Sequence, residues 1–278
     1  MNKTLIRSLS GALFLIIVTG SMLLGPVIFA LVMVFALLVA TKEFLNISLK
    51  DKFKYPRLIT LITSFLIYLL LFLYYHNNIE IKYFWLLVLP FIAIIVSILY
   101  SKESISSSYY KTAFLLVAPL YIALPLSLTN TILFNNQGTY IPNTLLSIFI
   151  ILWSCDVGAY VFGISFGQKN GHKLFPSISP KKSWEGFFGG LISALITGFI
   201  LYKVGLITFS IIDVLALSAI IFLFGVFGDL VESLFKRNFG VKDSGNIMPG
   251  HGGLLDRFDS ALLALPAAIA YIKLFELI

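Results

Sequence analysis

The chain has 278 residues, of which 59% are hydrophobic and only 12% are charged, and its formal net charge is +7. Soluble domains are about one quarter charged, so this composition excludes an ordinary water-soluble protein. The basic residues are spread over short loops between apolar runs instead of forming one stripe, which argues against a nucleic-acid partner. We therefore expect a protein whose main solvent is the lipid bilayer.

Nine apolar runs follow one another along the chain, each about long enough to cross a bilayer as a helix. They cover residues 8–24, 26–41, 58–75, 84–100, 112–129, 144–165, 186–206, 210–228 and 258–276. Pro26 separates the first two runs, because proline removes a backbone donor and restricts the residue before it. The sequence predicts an all-α, polytopic transmembrane helical bundle of about nine passes, forming a single integral membrane domain over residues 1–278.

The loops between these runs provide an independent test of the number of passes, because Lys and Arg gather in cytoplasmic loops. With the N-terminus inside, 17 of the 20 basic residues fall on the cytoplasmic side, and Lys82, Lys203 and Lys273 fall on the other side. A miscounted pass would blur this bias. We therefore expect the N-terminus inside the cell and the C-terminus outside.

Acidic residues are concentrated in the second half of the chain, at the predicted cytoplasmic ends of helices and in cytoplasmic loops. A carboxylate inside a membrane segment costs about 3 kcal/mol on insertion scales, so such groups usually face a polar cavity or a site. The acidic residues in question are Asp156, Glu185, Asp229, Glu232, Asp243, Asp256 and Asp259. Their location on one side of the membrane indicates a shared purpose.

Residues 228–260 combine a polar helical face with a glycine-rich loop. Polar side chains recur first at helical spacing, at Asp229, Glu232, Ser233, Lys236 and Arg237. Five glycines and one proline between residues 240 and 253 then predict a loop that can approach a ligand with bare backbone. His251 lies in this loop, and a helix resumes at about Leu254 with Asp256 and Asp259 on one face. Two acidic helix faces therefore flank the loop.

This arrangement suits a divalent metal and phosphate groups. Mg²⁺ prefers oxygen ligands, and it takes one or two carboxylates and completes its coordination with phosphate oxygens and water. The basic residues nearby that would neutralise phosphate oxygens are Lys236, Arg237, Lys242, His251 and Arg257. For any one of these charged residues alone, an interfacial ion pair is an equally good interpretation, but the cluster as a whole favours a site.

A second polar segment joins the sixth and seventh predicted passes. Asp156 lies within an apolar run, where a hydrogen bond to a neighbouring helix and a functional contact are equally good interpretations. Lys181 and Lys182 place two cations on the same side as the acidic cluster, and they suit either anionic lipid headgroups or a substrate phosphate.

The run SLFKRNFGVKDSGNIMPGHGGLLDRFD, from residue 233 to residue 259, closely resembles the signature of the phosphatidate cytidylyltransferases, also called CDP-diacylglycerol synthases. The segments DVGAYVFG at 156–163 and SPKKSWEG at 179–186 are similar to the family's other marks and occur in the same order. The N-terminal helices within residues 1–130 are variable and resemble the family only in being apolar. The helices and cytoplasmic loops of residues 144–278 would then carry the active site.

The resemblance implies transfer of CMP from CTP to phosphatidic acid, which gives CDP-diacylglycerol and pyrophosphate. It also implies a requirement for Mg²⁺, with a second metal or a monovalent cation left open, and a homodimer in a bacterial-type cytoplasmic membrane. The active site would face the cytoplasm, where a water-soluble nucleotide and a lipid-anchored phosphate can meet.

We assign roles to the matching residues on this basis. Asp229 and Asp256 are the expected direct Mg²⁺ ligands, and Glu232, Asp243 and Asp259 are outer or alternative ligands. The attacking phosphate has a second pKa of about 6 and needs no general base, so we place His251 at the nucleotide or the leaving pyrophosphate. The residues expected to bind the nucleotide are Asp156, Ser179, Lys181, Lys182, Ser233, Gly252 and Gly253.

Two other functions compete with this one. A CTP-dependent kinase acting on a polyprenol or phytol would share glycine-rich charged loops, but it would attack the γ-phosphorus and release CDP. A transporter would place its charges near the middle of the membrane and often shows an inverted repeat. The charges here lie towards one face, and no inverted repeat is evident.

Overall fold

The computed structural model describes residues 3–50, 53–77, 79–100, 105–135, 138–167 and 172–278. Within these ranges the chain is built almost entirely of helices. The longer helices are α1 (Lys3–Leu24), α2 (Pro26–Leu49), α3 (Lys54–Asn77), α4 (Val88–Val96), α5 (Ile105–Ala118), α8 (Asn143–Phe162), α9 (Trp184–Lys203), α10 (Ile211–Asn238) and α11 (Leu255–Leu274). The short helices are α6 (Leu124–Leu128) and α7 (Asn130–Leu133), with 3₁₀ turns at Ile81–Leu87 and Ser97–Tyr100 and π-helical turns at Pro119–Ala123 and Gly163–Gly167.

Every predicted apolar run corresponds to helical structure, but α2 continues to Leu49 and α10 to Asn238, eight and ten residues beyond the predicted ends of their runs. In the described part of the chain, six segments are long and apolar enough to cross a membrane. They are Pro26–Leu49, Lys54–Asn77, Tyr109–Leu133, Asn143–Gly167, Trp184–Lys203 and Ile211–Asn238, and shorter apolar helices cover Ser8–Leu24 and Ile81–Val96. The all-α membrane bundle is thus confirmed. The number of nine passes and the orientation stay predictions.

Proline and glycine determine where several helices break. Gly25 has a φ of +124°, which is costly for residues with a side chain, and Pro26 is the first residue of α2, as the sequence predicts. The fifth run is interrupted by a π-helical turn that begins at Pro119, because this proline supplies no backbone N–H for the regular helical ladder.

The chain forms two compact units, and each unit consists of two separate segments of the sequence. The first unit comprises Met1–Tyr140 and Phe239–Phe258, and the second comprises Ile141–Asn238 and Asp259–Ile278. In the first unit α2 contacts α1, α3 and α5. The glycine-rich loop therefore belongs with the N-terminal helices, which the sequence alone does not indicate.

In the second unit α9 packs against both α8 and α10. Glycines allow the helices to approach closely: a Cβ at Gly186 would lie 2.8 Å from the carbonyl oxygen of Ala159 and 3.3 Å from the Cα of Gly163. A side chain at these positions would separate α9 from the end of α8.

A small hairpin precedes α9, where the sequence predicts only a polar loop. Its strands are β1 (Lys173–Phe175) and β2 (Ser179–Ser183), which pair antiparallel with Lys173 opposite Ser183. The hydroxyl of Ser183 accepts a hydrogen bond from Gly186 N at 3.2 Å and thereby caps α9. The hairpin places the two adjacent lysines of β2 on an extended strand, where neighbouring side chains point to opposite faces.

Candidate active site

The second unit gathers four of the predicted carboxylates. Asp229 and Glu232 belong to α10, Asp156 belongs to α8, and Asp259 belongs to the part of α11 in this unit. Asp259 lies close enough to the other three for their negative charges to act on it. Asp156 thus lies within reach of the acidic cluster.

Close contact between α10 and α11 explains part of this convergence. A Cβ at Gly228, one residue before Asp229, would lie 3.0 Å from the carbonyl oxygen of Ser260, so the two helix backbones touch there. Only glycine permits this approach. Asp229 follows Gly228 and Asp259 precedes Ser260, so this backbone contact holds the two carboxylates near each other.

Lys182 supplies the counter-charge for Asp229. Its Nζ lies 2.6 Å from Asp229 Oδ2, and Ser233 Oγ donates a hydrogen bond to Asp229 Oδ1 at 3.2 Å. Lys181, the adjacent residue on β2, is exposed, whereas Lys182 and Ser179 are half-buried. Because neighbouring side chains of a strand point to opposite faces, Lys182 faces Asp229 and Lys181 points away from it.

A second ion pair lies one turn further along α10. Lys236 Nζ lies 2.5 Å from Glu232 Oε2, and both side chains are buried. Burying a charge is costly unless it is closely paired, so this i,i+4 pair compensates the desolvation of both groups. The next residue, Arg237, is exposed at the end of the helix.

In the first unit, Asp256 ties the two ends of the glycine-rich loop together. Its Oδ2 accepts hydrogen bonds from Ser244 N and from Gly253 N, both at 2.8 Å, and the side chain is buried. Gly252 has a φ of +83°, and a Cβ there would press against Asp256. The carboxylate therefore has a structural role in the loop, whatever else Oδ1 contacts.

The imidazole of His251 is held by the first helix. Ser10 Oγ lies 2.6 Å from His251 Nδ1 and 3.1 Å from the carbonyl oxygen of Pro249. A carbonyl only accepts, so both contacts are hydrogen bonds when the hydroxyl donates to Pro249 and His251 Nδ1–H donates to the hydroxyl. The neutral ring then keeps Nε2 as an acceptor. Gly11 also contacts the ring, because a Cβ there would lie 3.3 Å from Cε1.

The remaining predicted residues of the loop differ in their exposure. Lys242 and Asp243 are exposed, and Arg257 is half-buried near the start of α11. Among the described residues, the Nε of Arg257 is buried and donates no hydrogen bond. A buried guanidinium donor of this kind is suited to an anionic oxygen.

Glu43 joins the glycine-rich loop in the structure, although it is not among the residues predicted from the sequence. It is the single acidic residue of α2, it is buried, and it accepts hydrogen bonds from Ser244, Leu254 and Leu255. The available signal was a carboxylate in an otherwise apolar helix, which is costly unless it is satisfied. The signal was weak because Lys42 precedes it, a pattern that is also typical of an ordinary interfacial charge pair.

The donor set agrees with Mg²⁺ chemistry but does not form a preorganised cage. Among the described residues, no group of three or more His, Cys, Asp or Glu side chains is placed to hold a metal ion. Mg²⁺ requires only one or two protein carboxylates when phosphates and water complete its shell. Asp229 and its neighbours in the second unit, and Asp256 in the first, therefore fit the donor chemistry of this ion.

Comparison with known proteins decides the family. A match to the Cytidylyltransferase family covers residues 5–275. The chain belongs to this family. Cytidylyltransferases similar to it include three proteins named phosphatidate cytidylyltransferase, from Staphylococcus epidermidis, Staphylococcus haemolyticus and Staphylococcus aureus. They are 35% identical over 262 residues, 36% over 262 and 36% over 266, and each alignment covers 94% of this chain and 96% of the relative. The predicted family is confirmed, and the match also extends over the N-terminal helices, which the sequence motifs did not reach.

Proposed function

We propose that this chain transfers CMP from CTP to phosphatidate at the membrane surface, forming CDP-diacylglycerol and pyrophosphate. The observation that carries the proposal is the similarity to phosphatidate cytidylyltransferases along 94% of the chain. A phosphate oxygen of phosphatidate forms a bond to the α-phosphorus of CTP. The bond from that phosphorus to the oxygen bridging to the β-phosphorus breaks, and its electron pair leaves with pyrophosphate.

Charge compensation is the main task of the protein in this reaction. Both reactants are anions, so their approach requires cations placed where negative charge accumulates. Lys182 and Lys236 already lie beside carboxylates of the second unit. Arg257 presents a buried Nε in the first unit. These groups, together with Arg237 and Lys242, neutralise phosphate oxygens.

The carboxylates hold Mg²⁺ in this proposal. Asp229 and Asp256 are the direct ligands, and Glu232, Asp243 and Asp259 serve as outer or alternative ligands. The ion, when bound, neutralises phosphate oxygens and polarises the α-phosphorus. The support is the chemistry of the donor set, since hard carboxylate oxygens are the ligands that this ion prefers.

Residues of the β2 strand and of the glycine-rich loop bind the nucleotide. Ser179, Lys181 and the backbone of the Gly252–Gly253 pair contact the CTP phosphates, since residues without a side chain let oxygens approach the backbone closely. His251 contacts the nucleotide or the leaving pyrophosphate. Its support is the contact with Ser10, which fixes the plane of the ring and leaves Nε2 as an acceptor in the neutral form.

The membrane topology belongs to the same proposal. Nine passes with the N-terminus inside place the carboxylates at the cytoplasmic surface, where CTP is dissolved and phosphatidate is anchored. The support is the distribution of basic residues, of which 17 of 20 fall in loops on that side. The enzyme acts as a homodimer in a bacterial-type cytoplasmic membrane.

One assay tests the reaction and its nearest competitor together. Detergent-purified protein is incubated with Mg²⁺, CTP labelled at the α- or γ-phosphorus, and either phosphatidate or a polyprenol, and both the lipid and the soluble product are identified. The expected products are CDP-diacylglycerol and pyrophosphate, with the α label in the lipid. Release of CDP with the γ label in the lipid would instead establish a lipid kinase, and no turnover with phosphatidate would overturn the proposed acceptor.

A further inference from the structure

Glu43 lies at the centre of the contacts that shape the glycine-rich loop, although 201 residues separate it from Ser244. Ser244 Oγ donates to Glu43 Oε2 at 3.0 Å, and Leu255 N donates to the same oxygen at 2.8 Å. Leu254 N donates to Oε1 at 3.1 Å. Both oxygens of this buried carboxylate are therefore engaged by the loop and by the start of α11.

The donors explain why a charged group is stable in this buried position. The first N–H groups of a helix have no partner within the helix, and the helix dipole favours a negative charge beside them. Leu254 N and Leu255 N are such groups at the start of α11. Glu43 thus caps α11 from a different helix, and the hydrogen bonds offset the desolvation of its charge.

The loop backbone passes directly against this carboxyl group. A Cβ at Gly245 would lie 2.9 Å from Glu43 Cδ, and a Cβ at Gly253 would lie 2.6 Å from the same atom. Neither position can accept a side chain unless the Glu43 carboxyl group or the loop moves. The glycines of the loop are therefore required partly by Glu43, in addition to any ligand.

Glu43 and Asp256 hold the same loop residue from two sides. The hydroxyl of Ser244 donates to Glu43, and its backbone N–H donates to Asp256 at 2.8 Å. Leu255, whose amide binds Glu43, directly precedes Asp256 in the chain. The position of the Asp256 carboxylate thus depends on the contact between α2 and the loop.

We propose that Glu43 is a positioning residue for cytidylyl transfer, which holds the glycine-rich loop and the first turn of α11 so that Asp256 is correctly placed. This inference rests on the proposed function of the same site. It gives the N-terminal helices a part in catalysis, although Glu43 itself contacts no reacting atom. Misplacement of a reacting group by about 1 Å can cost about 100-fold in rate, so a loosened loop reduces turnover even in folded protein.

Glu43→Gln is the most informative variant, because it preserves size and removes the charge. The amide nitrogen of glutamine cannot accept a hydrogen bond. At least one of the three groups that donate to Glu43, which are Ser244 Oγ, Leu254 N and Leu255 N, therefore loses its acceptor. We expect kcat to fall by about 10-fold for Glu43→Gln and by about 100-fold for Glu43→Ala, measured at a temperature where each variant is fully folded. Hydrogen exchange should become at least about 10-fold faster at the amides of residues 244 and 253–255 and stay unchanged in α10.

Two control variants separate positioning from general stability. Glu80→Gln makes the same chemical change at an exposed glutamate that pairs with Lys82, and it should leave kcat and exchange unchanged. Leu37→Ala removes a fully buried side chain from the same helix, α2, and should lower thermal stability while the folded enzyme keeps its kcat.

The outcomes are distinguishable from failure of the proposed function. If the wild-type chain makes no CDP-diacylglycerol, the proposed reaction fails, and the exchange measurement alone still tests whether Glu43 holds the loop. If the wild type is active, then full kcat in Glu43→Gln overturns the inference. A loss of kcat in Leu37→Ala as large as in Glu43→Gln would also overturn it, because it would reduce the role of Glu43 to general stability. If Glu43→Ala does not fold, Glu43→Gln decides alone.

Discussion

Replacement of Asp256 by Asn tests whether this carboxylate serves the reaction beyond its structural role. The side chain is buried, and its Oδ2 accepts two backbone hydrogen bonds at 2.8 Å. An asparagine oxygen can occupy the same place and accept both bonds, but it carries no charge. Alanine would leave two buried N–H groups without an acceptor, at about 1–3 kcal/mol each, so Asn is the cleaner substitution.

The structural part of the effect can be estimated from these two bonds. A hydrogen bond to a charged group contributes about 1.5–3 kcal/mol and a neutral one about 0.5–1.5 kcal/mol, so the Asn variant loses about 2 kcal/mol of local stability. This corresponds to roughly 30-fold faster exchange of the Ser244 and Gly253 amides, since about 1.4 kcal/mol is a factor of ten. The loop would still keep its native hydrogen bonds in most molecules, because these amides exchange only during rare local openings.

Turnover should fall much further than this local loosening explains. If Asp256 is a direct Mg²⁺ ligand, loss of its charge should reduce kcat at least about 100-fold, and raising the Mg²⁺ concentration should recover part of the activity. The assay measures CDP-diacylglycerol formation over a Mg²⁺ titration in purified, folded protein. Retention of more than about 5% of kcat with an unchanged Mg²⁺ dependence would refute the ligand role.

Three further substitutions each test a contact that lies within one of the two units. Lys182→Met removes the cation beside Asp229 and should reduce kcat at least about 10-fold, with a stability change below about 1 kcal/mol because the pair is partly exposed. Ser10→Ala removes the partner of His251 Nδ1 and should lower kcat/KM for CTP about fivefold, the equivalent of about 1 kcal/mol for one neutral hydrogen bond. Gly253→Ala places a methyl group against Ser244 and the buried glutamate of α2, and it should destabilise the fold by about 1–3 kcal/mol, measured by thermal unfolding in detergent.

Each of these variants has a matched control in the same unit. Lys173→Met removes an exposed lysine from the neighbouring strand, Thr19→Ala removes a hydroxyl from α1 that donates to the carbonyl oxygen of Leu15 in the same helix, and Gly20→Ala adds a methyl group into open space. The Lys173 and Thr19 variants should retain wild-type activity, and Gly20→Ala should retain wild-type thermal stability. A loss in a control equal to that in its test variant, of activity for the first two and of stability for the third, would contradict the corresponding assignment.

Much of the helical framework could be predicted from local sequence. Apolar runs of bilayer length specify helices because backbone groups in lipid must be hydrogen-bonded within the segment. The break at Gly25–Pro26 and the loop between Asn238 and Leu255 follow from residues whose backbone preferences act locally. The strand pair at 173–183 was missed because a hairpin this short has little periodicity to detect.

The partners of the glycine-rich loop, in contrast, depend on tertiary packing. Hydropathy and motif spacing describe neighbours along the chain, whereas Ser10 and Glu43 reach the loop from helices more than 200 residues away. A lone serine or glutamate near the end of an apolar helix has many possible partners, and local sequence does not choose among them. Local sequence specifies the helices, the family motifs and the set of charged residues. The packing of α2 against the loop buries Glu43 and Asp256, and burial makes an unsatisfied polar group costly and so selects its partners.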